Sequence, residues 1–350
     1  MAKIQRQVQM LFDLNKCIGC HTCTMACKTM WTDRNEGQMY QYWNNVETMP
    51  GLGYPRNWEE SGATIGTCQP KNDDEAALTP LPDIEGDYGA PWEYNYGEVL
   101  KTEGGNASRS VVVPFPSPDG PDAYASNWDE DVGVGAFPNN YYFYLPRICN
   151  HCSDPPCVSA CPRRSVYKRE EDGVVLIDQD RCRGYRFCVQ GCPYKKIYFN
   201  PVTGKSEKCI FCYPRIEQGE GNFCVTQCVG RIRWVSYRDN KASNLYKLVN
   251  NWRVALRLHP EFGTEPNTFY IPPMSPPGYL ANGDLDSKGR IPVSVLARMF
   301  GDNCNQTLAQ REARIEEIFD ILETERAKGM DSELVRILVA TTDTEQVQLT

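Results

Sequence analysis

Fifteen of the chain's 17 cysteines fall into four short groups, and that pattern narrows the possible folds and chemistries more than any other property of the sequence. The first group is Cys17-Ile-Gly-Cys20-His-Thr-Cys23-Thr-Met-Ala-Cys27. The second is Cys149-Asn-His-Cys152, then Cys157, then Cys161-Pro162. The third is Cys182-Arg-Gly-Tyr185-Arg-Phe-Cys188, closing with Cys192-Pro193. The fourth is Cys209-Ile-Phe-Cys212 followed by Cys224-Val-Thr-Gln-Cys228. Such recurrence is an internal repeat. Disulfide scaffolds of this cysteine density are short and secreted, and a chain of 350 residues is not of that kind. One Cys-x2-Cys is weak and is often a zinc knuckle, and two could build a four-cysteine zinc site. Four groups with three-residue terminal spacings, two of them ending in Cys-Pro, point instead to iron–sulfur clusters. Cys68 and Cys304 stand apart and read as small core or surface residues.

In the Cys-x2-Cys-x2-Cys-x3-Cys-Pro run, three close cysteines wrap one cluster and the fourth reaches the neighbouring one, so groups work in pairs. Groups two and three both end in Cys-Pro and are separated by twenty residues, the layout of a two-cluster ferredoxin module. Groups one and four lack the proline and are left to pair around it; a sequential pairing is the rival. Exchanging the fourth cysteines gives one set of Cys17, Cys20, Cys23 and Cys228 and a second of Cys27, Cys209, Cys212 and Cys224. A third holds Cys149, Cys152, Cys157 and Cys192. The fourth holds Cys161, Cys182 and Cys188, with Tyr185 where a thiolate is missing. A phenol is a poor ligand for low-potential iron, which predicts three [4Fe-4S] clusters and one [3Fe-4S] cluster, with Tyr185 a non-ligand beside the latter. A complete fourth cubane with an oxygen or water ligand is the alternative.

The rest of the chain divides by composition. Residues 31–146 carry 19 acidic and 5 basic residues, 12 prolines, 13 glycines and five of the seven tryptophans. That density of Pro and Gly predicts long loops with short strands. Trp31, Trp43, Trp58, Trp92 and Trp128 argue against free disorder and suggest a segment ordered by packing, in our reading against a partner. From 147 to 215 the balance reverses to 13 basic against 7 acidic residues. Arg163, Arg164, Arg181, Arg183, Arg186, Lys195, Lys196 and Lys208 are candidates to offset the anionic clusters, some of them being plain solvated surface. Asn305–Gly329 has a helical apolar period in Leu308, Ile315, Ile318, Phe319 and Leu322. Asp331–Ala340 reads as a second helix with an Asp-Ser cap, and Phe269–Tyr279, with four prolines, as extended chain. Of the three histidines, His21 and His151 lie in cluster loops and should bond or pack there rather than ligate iron; His259 suggests no role.

A net charge of -8 argues against nucleic acid as a partner. No apolar run approaches the ~18 residues of a membrane span. The opening MAKIQRQVQMLFDLNKC has neither a signal core nor paired arginines, which predicts no targeting peptide. No G-x-G-x-x-G follows a strand, and Gly204-Lys205-Ser206 reads as a turn rather than a phosphate loop, since Phe199 stands where the first glycine belongs. No acid–base constellation accompanies the cysteines, so no catalytic residue is assigned and the chain reads as a conductor.

The segments LNKCIGCHTCTMACK, YLPRICNHC, CRGYRFCVQGCPYKKIYFN and EKCIFCYPRIE resemble the iron–sulfur beta subunits of respiratory molybdoenzymes of the DMSO reductase family. The likeness is to those of dimethylsulfide, ethylbenzene, selenate, chlorate and perchlorate enzymes, with the nitrate reductase beta subunit a longer cousin and nitrite oxidoreductase similar. It extends to WNNVETMPGLGYPRNW, NWDED and LHPEFGTEPNTFYIPP and so covers most of the chain, excluding much of 62–126 and the last few dozen residues. The resemblance implies the nested pairing and an order: the cluster of Cys17, Cys20, Cys23 and Cys228 nearest a molybdenum bis-pterin alpha subunit. Next come the Cys27 set, the Cys149 set and, outermost, the three-iron cluster facing a haem b gamma subunit. Nitrate reductase beta subunits have tryptophan at the position of Tyr185 and dimethylsulfide-type ones can have tyrosine, both with a three-iron cluster. In the shorter relatives the beta subunit is exported folded with a large subunit bearing a twin-arginine signal. That implies a periplasmic location by co-export; the cytoplasmic face of a membrane is the alternative.

The fold expected is α+β: an outer ferredoxin-like module of 1–30 plus 197–240, the acidic insertion 31–146, an inner module of 147–196, and a helical C-terminal extension of 241–350. The function expected is electron transfer within a molybdenum oxidoreductase complex. The rivals are a stand-alone polyferredoxin-type carrier, an enzyme using the three-iron cluster, and a scaffold whose metals only staple loops.

Overall fold

The computed structural model of the protein describes residues 4–33, 37–63, 78–84, 86–88, 133–339 and 342–349. Its centre is the strand Val8–Asp13, buried along its whole length. That strand lies in a six-stranded sheet whose order is Phe300–Gly301, Leu256–Leu258, Thr268–Ile271, Val8–Asp13, Arg233–Tyr237, Val347–Gln348. Val8–Asp13 runs parallel to Thr268–Ile271 and antiparallel to Arg233–Tyr237, with Phe12 opposite Arg233. This pairing delivers Cys17, just after the first strand, beside Cys228, just before its partner. Asp13 caps the turn between strand and first cysteine, its Oδ1 accepting from the Asn15 N–H at 3.0 Å.

The C-terminal extension differs from the expected helical appendage. Four strands of the central sheet, Leu256–Leu258, Thr268–Ile271, Phe300–Gly301 and Val347–Gln348, come from it. Their two to four residues give no readable alternation, and burial on both faces removes the polar half of the pattern. The long helix is Leu308–Ala327, opened by a Thr307–Gln310 capping box. Ile315, Ile318 and Leu322 face the core as expected, whereas Leu308 is exposed and Phe319 only half-buried. Arg311, Arg314 and Glu325 take the remaining buried positions, the two arginines bonding Glu261 and Asp302 respectively. A shorter helix, Glu333–Leu338, is capped by the Ser332 hydroxyl. After Ile271 the four prolines carry the chain to the edge hairpin of Pro277–Tyr279 and Leu285–Gly289. Among the described residues no helix is long and apolar enough to cross a membrane.

The described part of the insertion packs on this chain. Asn45–Met49 pairs antiparallel with Phe143–Arg147, and Trp43 and Trp58 are buried. Trp92, Trp128 and Cys68 lie outside the described residues. The joint rests on a buried pair: Glu47 Oε1 accepts from Arg147 Nη2 at 2.6 Å and Nε at 2.8 Å, while Glu47 Oε2 takes the Trp58 indole N–H at 3.2 Å. Arg147 also donates to the Tyr194 and Tyr54 carbonyls and lies 3.6 Å over the Trp58 ring. Removing one member of a buried pair strands the other charge, at a cost of about 3–5 kcal/mol. Glu47→Gln should therefore lower the unfolding free energy in denaturant titrations by about that amount.

A second joint involves His259. Its Nε2 meets Glu59 of the helix Trp58–Ala63 and its Nδ1 meets Glu261, each at 2.7 Å, and Glu261 also pairs with Arg311. Burial disfavours the imidazolium, but the two carboxylates outweigh it and raise its pKa. The folded state therefore holds the proton more tightly than the unfolded chain. This stabilisation is complete below the ordinary imidazole value of about 6.5 and is lost as pH rises through the raised folded value. Thermal midpoints of the wild type should fall across that window more steeply than those of His259→Gln; parallel profiles would refute the assignment.

Candidate metal centres

Each cysteine group folds into a loop ending in a short helix. The helices Thr22–Cys27, Pro156–Ser159, Phe187–Gln190 and Phe223–Thr226 carry ligand-type cysteines, and the second begins at a proline suited to a first helical position. Two glycines are obligatory in these loops. Gly19 has φ +65° with the Tyr144 ring where a Cβ would be, and Gly184 has φ +69° against the Gly204 carbonyl. Thr22–Cys27 packs on Phe223–Thr226, and Pro156–Ser159 packs on Phe187–Gln190. Group one thus meets group four, and group two meets group three.

Four cavities follow. Cys17, Cys20, Cys23 and Cys228 line one of about 300 Å³. Cys27, Cys209, Cys212 and Cys224 line a second of about 330 Å³, walled by Trp31, Trp43 and Asn44. Cys149, Cys152, Cys157 and Cys192 line a third of about 360 Å³. Cys161, Cys182 and Cys188 line the fourth, of about 260 Å³, with Tyr185 beside them. Among the described residues no three Cys, His, Asp or Glu side chains close on a single-ion site; the thiols ring open volumes instead. The cavities form a series. Cys23 of the first is near enough to bear on the charge of Cys224 in the second, and Cys149 of the third on that of Cys209 in the second. Third and fourth share the two short helices, packed so tightly that a Cβ on Gly191 would press on Ala160. Cys304 is half-buried and lines none of these four.

The donor set fits a cluster. Sulfur atoms receive N–H groups: Phe211 to Cys209 at 3.3 Å, Ser206 to Cys182 at 3.4 Å and the Trp31 indole to Cys212 at 3.3 Å. Burial pushes the Cys17, Cys152 and Cys209 thiols up to about 12 and Cys188 to about 11. At Cys161 burial opposes ionisation, but the Ser165 hydroxyl and the Val166, Ser165 and Arg163 amides outweigh it and hold the thiol below its ordinary value. Burial equally lowers Lys168 and Lys195 to about 8 and Lys196 to about 7. Dry thiols that resist losing protons and dry lysines that resist keeping them are reconciled by an anionic group between them, since iron displaces the thiol protons.

The structure splits the basic residues noted in the sequence. Lys195, Lys196 and Lys208 are buried, whereas Arg163, Arg164, Arg181, Arg183 and Arg186 are exposed. The buried ones hold the backbone: Lys208 donates to the Cys209 carbonyl at 2.6 Å and Lys196 to the Tyr42 carbonyl at 3.2 Å. Two cations escaped the sequence reading. Lys168 donates to the Cys152 and Gly173 carbonyls at 2.8 Å each. Arg233 is fully buried between Ile232 and Trp234, in a strand whose first four residues are all buried. His151 accepts the Val175 N–H at Nδ1 and sets its ring edge on Phe211, while burial keeps it neutral. His21 begins the first cluster helix and lines the first cavity.

Comparison with known proteins agrees with this geometry. A 4Fe-4S binding domain matches residues 8–29 and a 4Fe-4S dicluster domain matches residues 140–238. The chain is 53% identical over 328 residues to the selenate reductase subunit beta of Thauera selenatis, covering 91% of this chain and 96% of that one. It is 49% identical over 351 residues to the dimethylsulfide dehydrogenase subunit beta of Rhodovulum sulfidophilum, covering 99% of both. With the respiratory nitrate reductase 1 beta chain of Escherichia coli it shares 38% identity over 395 positions, covering 85% of this chain and 77% of that one. The Cys-lined cavities and these identities over nearly the full length mean that the protein belongs to the family of iron–sulfur beta subunits of respiratory molybdoenzymes.

Proposed function

We propose that this chain holds three [4Fe-4S] clusters and one [3Fe-4S] cluster and relays electrons between a molybdenum bis-pterin alpha subunit and a haem b gamma subunit. The observation that carries this reading is the lining of the four cavities, three by four cysteines and one by three with Tyr185 alongside. Bound clusters supply single-electron exchange. The chain's residues do the rest: thiolates would hold iron, amides bond the sulfurs, buried lysines offset the charge, and apolar walls keep water out. The two modules would be nested, the outer one with the Cys17 and Cys27 sets enclosing the inner one with the Cys149 and Cys161 sets.

Exposure supports the Cys17 and Cys161 sets as the two ends of the series. At the first cavity Cys20, Ile18, Met25 and Val229 are exposed; at the fourth, Tyr185 and Phe187. The cysteines of the second and third sets are buried. The exposed ends suit docking of the alpha subunit at the first and of the electron acceptor at the fourth, with substrate chemistry confined to the alpha subunit. The location that fits this reading is the periplasm, reached by co-export with that subunit.

Tyr185→Cys should replace the three-iron paramagnetic signal of the oxidised protein with that of an additional reduced [4Fe-4S] cluster. Persistence of the three-iron signal would remove Tyr185 as its cause. Purified gently from its native host through this chain, the complex should carry molybdenum as well as iron. Iron alone would favour the stand-alone carrier.

A further inference from the structure

Arg233 begins the strand Arg233–Tyr237 and sits between the first two cysteine sets. Its guanidinium is wholly buried, donates through both Nη1 and Nη2 to Asn44 Oδ1 at 3.1 Å, and lies 4.6 Å over the Phe12 ring. Its Nε has no hydrogen-bond partner among the described residues. The groups that bear on its charge most are cysteines of both sets: Cys23, Cys228 and Cys17 of the first and Cys224 of the second. Asn44 in turn lines the second cavity and gives its backbone N–H to Cys27, while Ile232, the neighbour of Arg233, lines the first. A guanidinium stays charged at any ordinary pH, and a buried one without a carboxylate is strongly destabilising unless another anion faces it. A cluster on each side is such an anion, and every added electron makes it a stronger one.

We propose that Arg233 is a positioning residue for electron transfer at the first junction, its fixed charge raising the reduction potentials of the clusters of the Cys17 and Cys27 sets together. The second junction is served differently, by Lys208, which acts on Cys209 of one set and Cys157 of the next. Arg233 instead brings a permanent charge to the first junction. This rests on the four-cluster reading, which iron content and the number of paramagnetic signals test separately from the midpoints.

The test is a potentiometric titration of the intact complex, followed by electron paramagnetic resonance, for wild type, Arg233→Gln, Arg233→Lys and Asn44→Asp. Arg233→Gln should cut the reduced-to-oxidised ratio of these two clusters at a fixed potential about tenfold, a fall of about 59 mV for one electron. The clusters of the other two sets should move far less. Asn44→Asp leaves the shape intact but pairs the guanidinium with a carboxylate, and should lower the same two midpoints; Arg233→Lys should stay near wild type. Unchanged midpoints in Asn44→Asp, an equal shift of all four clusters, or a shift in Arg233→Lys as large as that in Arg233→Gln would overturn the proposal. Asn44→Asp decides the matter if Arg233→Gln does not assemble.

Discussion

Everything in this molecule depends on burying opposite charges beside one another without water. The interior holds most of the grouped cysteines, and beside them lie four lysines that are buried or largely so and the buried Arg233. Alone, each population destabilises the fold: thiols kept dry retain their protons, and dry ammonium groups tend to lose theirs. Anionic clusters satisfy both, so folding and metal loading are one process in energetic terms. The lysines also tie carbonyls of the cysteine loops, through Lys168 to Cys152 and Lys208 to Cys209, so charge compensation and loop geometry are built from the same side chains.

The sheet solves the problem of bringing the first and last cysteine groups together. They lie far apart in sequence, and a contact of that span repays its loop-closure entropy only through extensive burial. Val8–Asp13, buried on both faces and flanked by Thr268–Ile271 and Arg233–Tyr237, supplies that burial. The register that places Phe12 opposite Arg233 sets Cys17 and Cys228 at one cavity and the guanidinium between two. Strands of the C-terminal extension complete this sheet, so the extension is part of what holds the outer cysteine groups in place.

Legibility in the sequence followed how local each feature is. Cysteine spacing is local chemistry, and the four repeated groups are read from it directly. The helix Leu308–Ala327 and the Ser332 cap were readable for the same reason, within a few residues at the ends. What was hidden depends on distant partners. Arg163 and Lys208 look alike in the sequence, yet one is exposed and the other buried beneath two cysteine sets. His259 had no sequence partner because its two carboxylates include Glu59, far away in the chain. Arg233 lies in a strand buried on both faces, and the groups that suit it include Cys17 and Cys23, distant in the chain.

The distribution of exposure along the series explains how one chain can conduct without reacting. A cluster open to water exchanges electrons with whatever diffuses past, whereas burial slows every route except the next cluster. Cys20 with Ile18 and Val229 at one end, and Tyr185 with Phe187 at the other, are exposed, and a partner docked there would cover them. Between those ends the thiols of the second and third sets lie under Trp43, Asn44 and Lys196. The apolar rims that would seat partner subunits are therefore also what would finish the insulation, and the complete electron path belongs to the assembled complex.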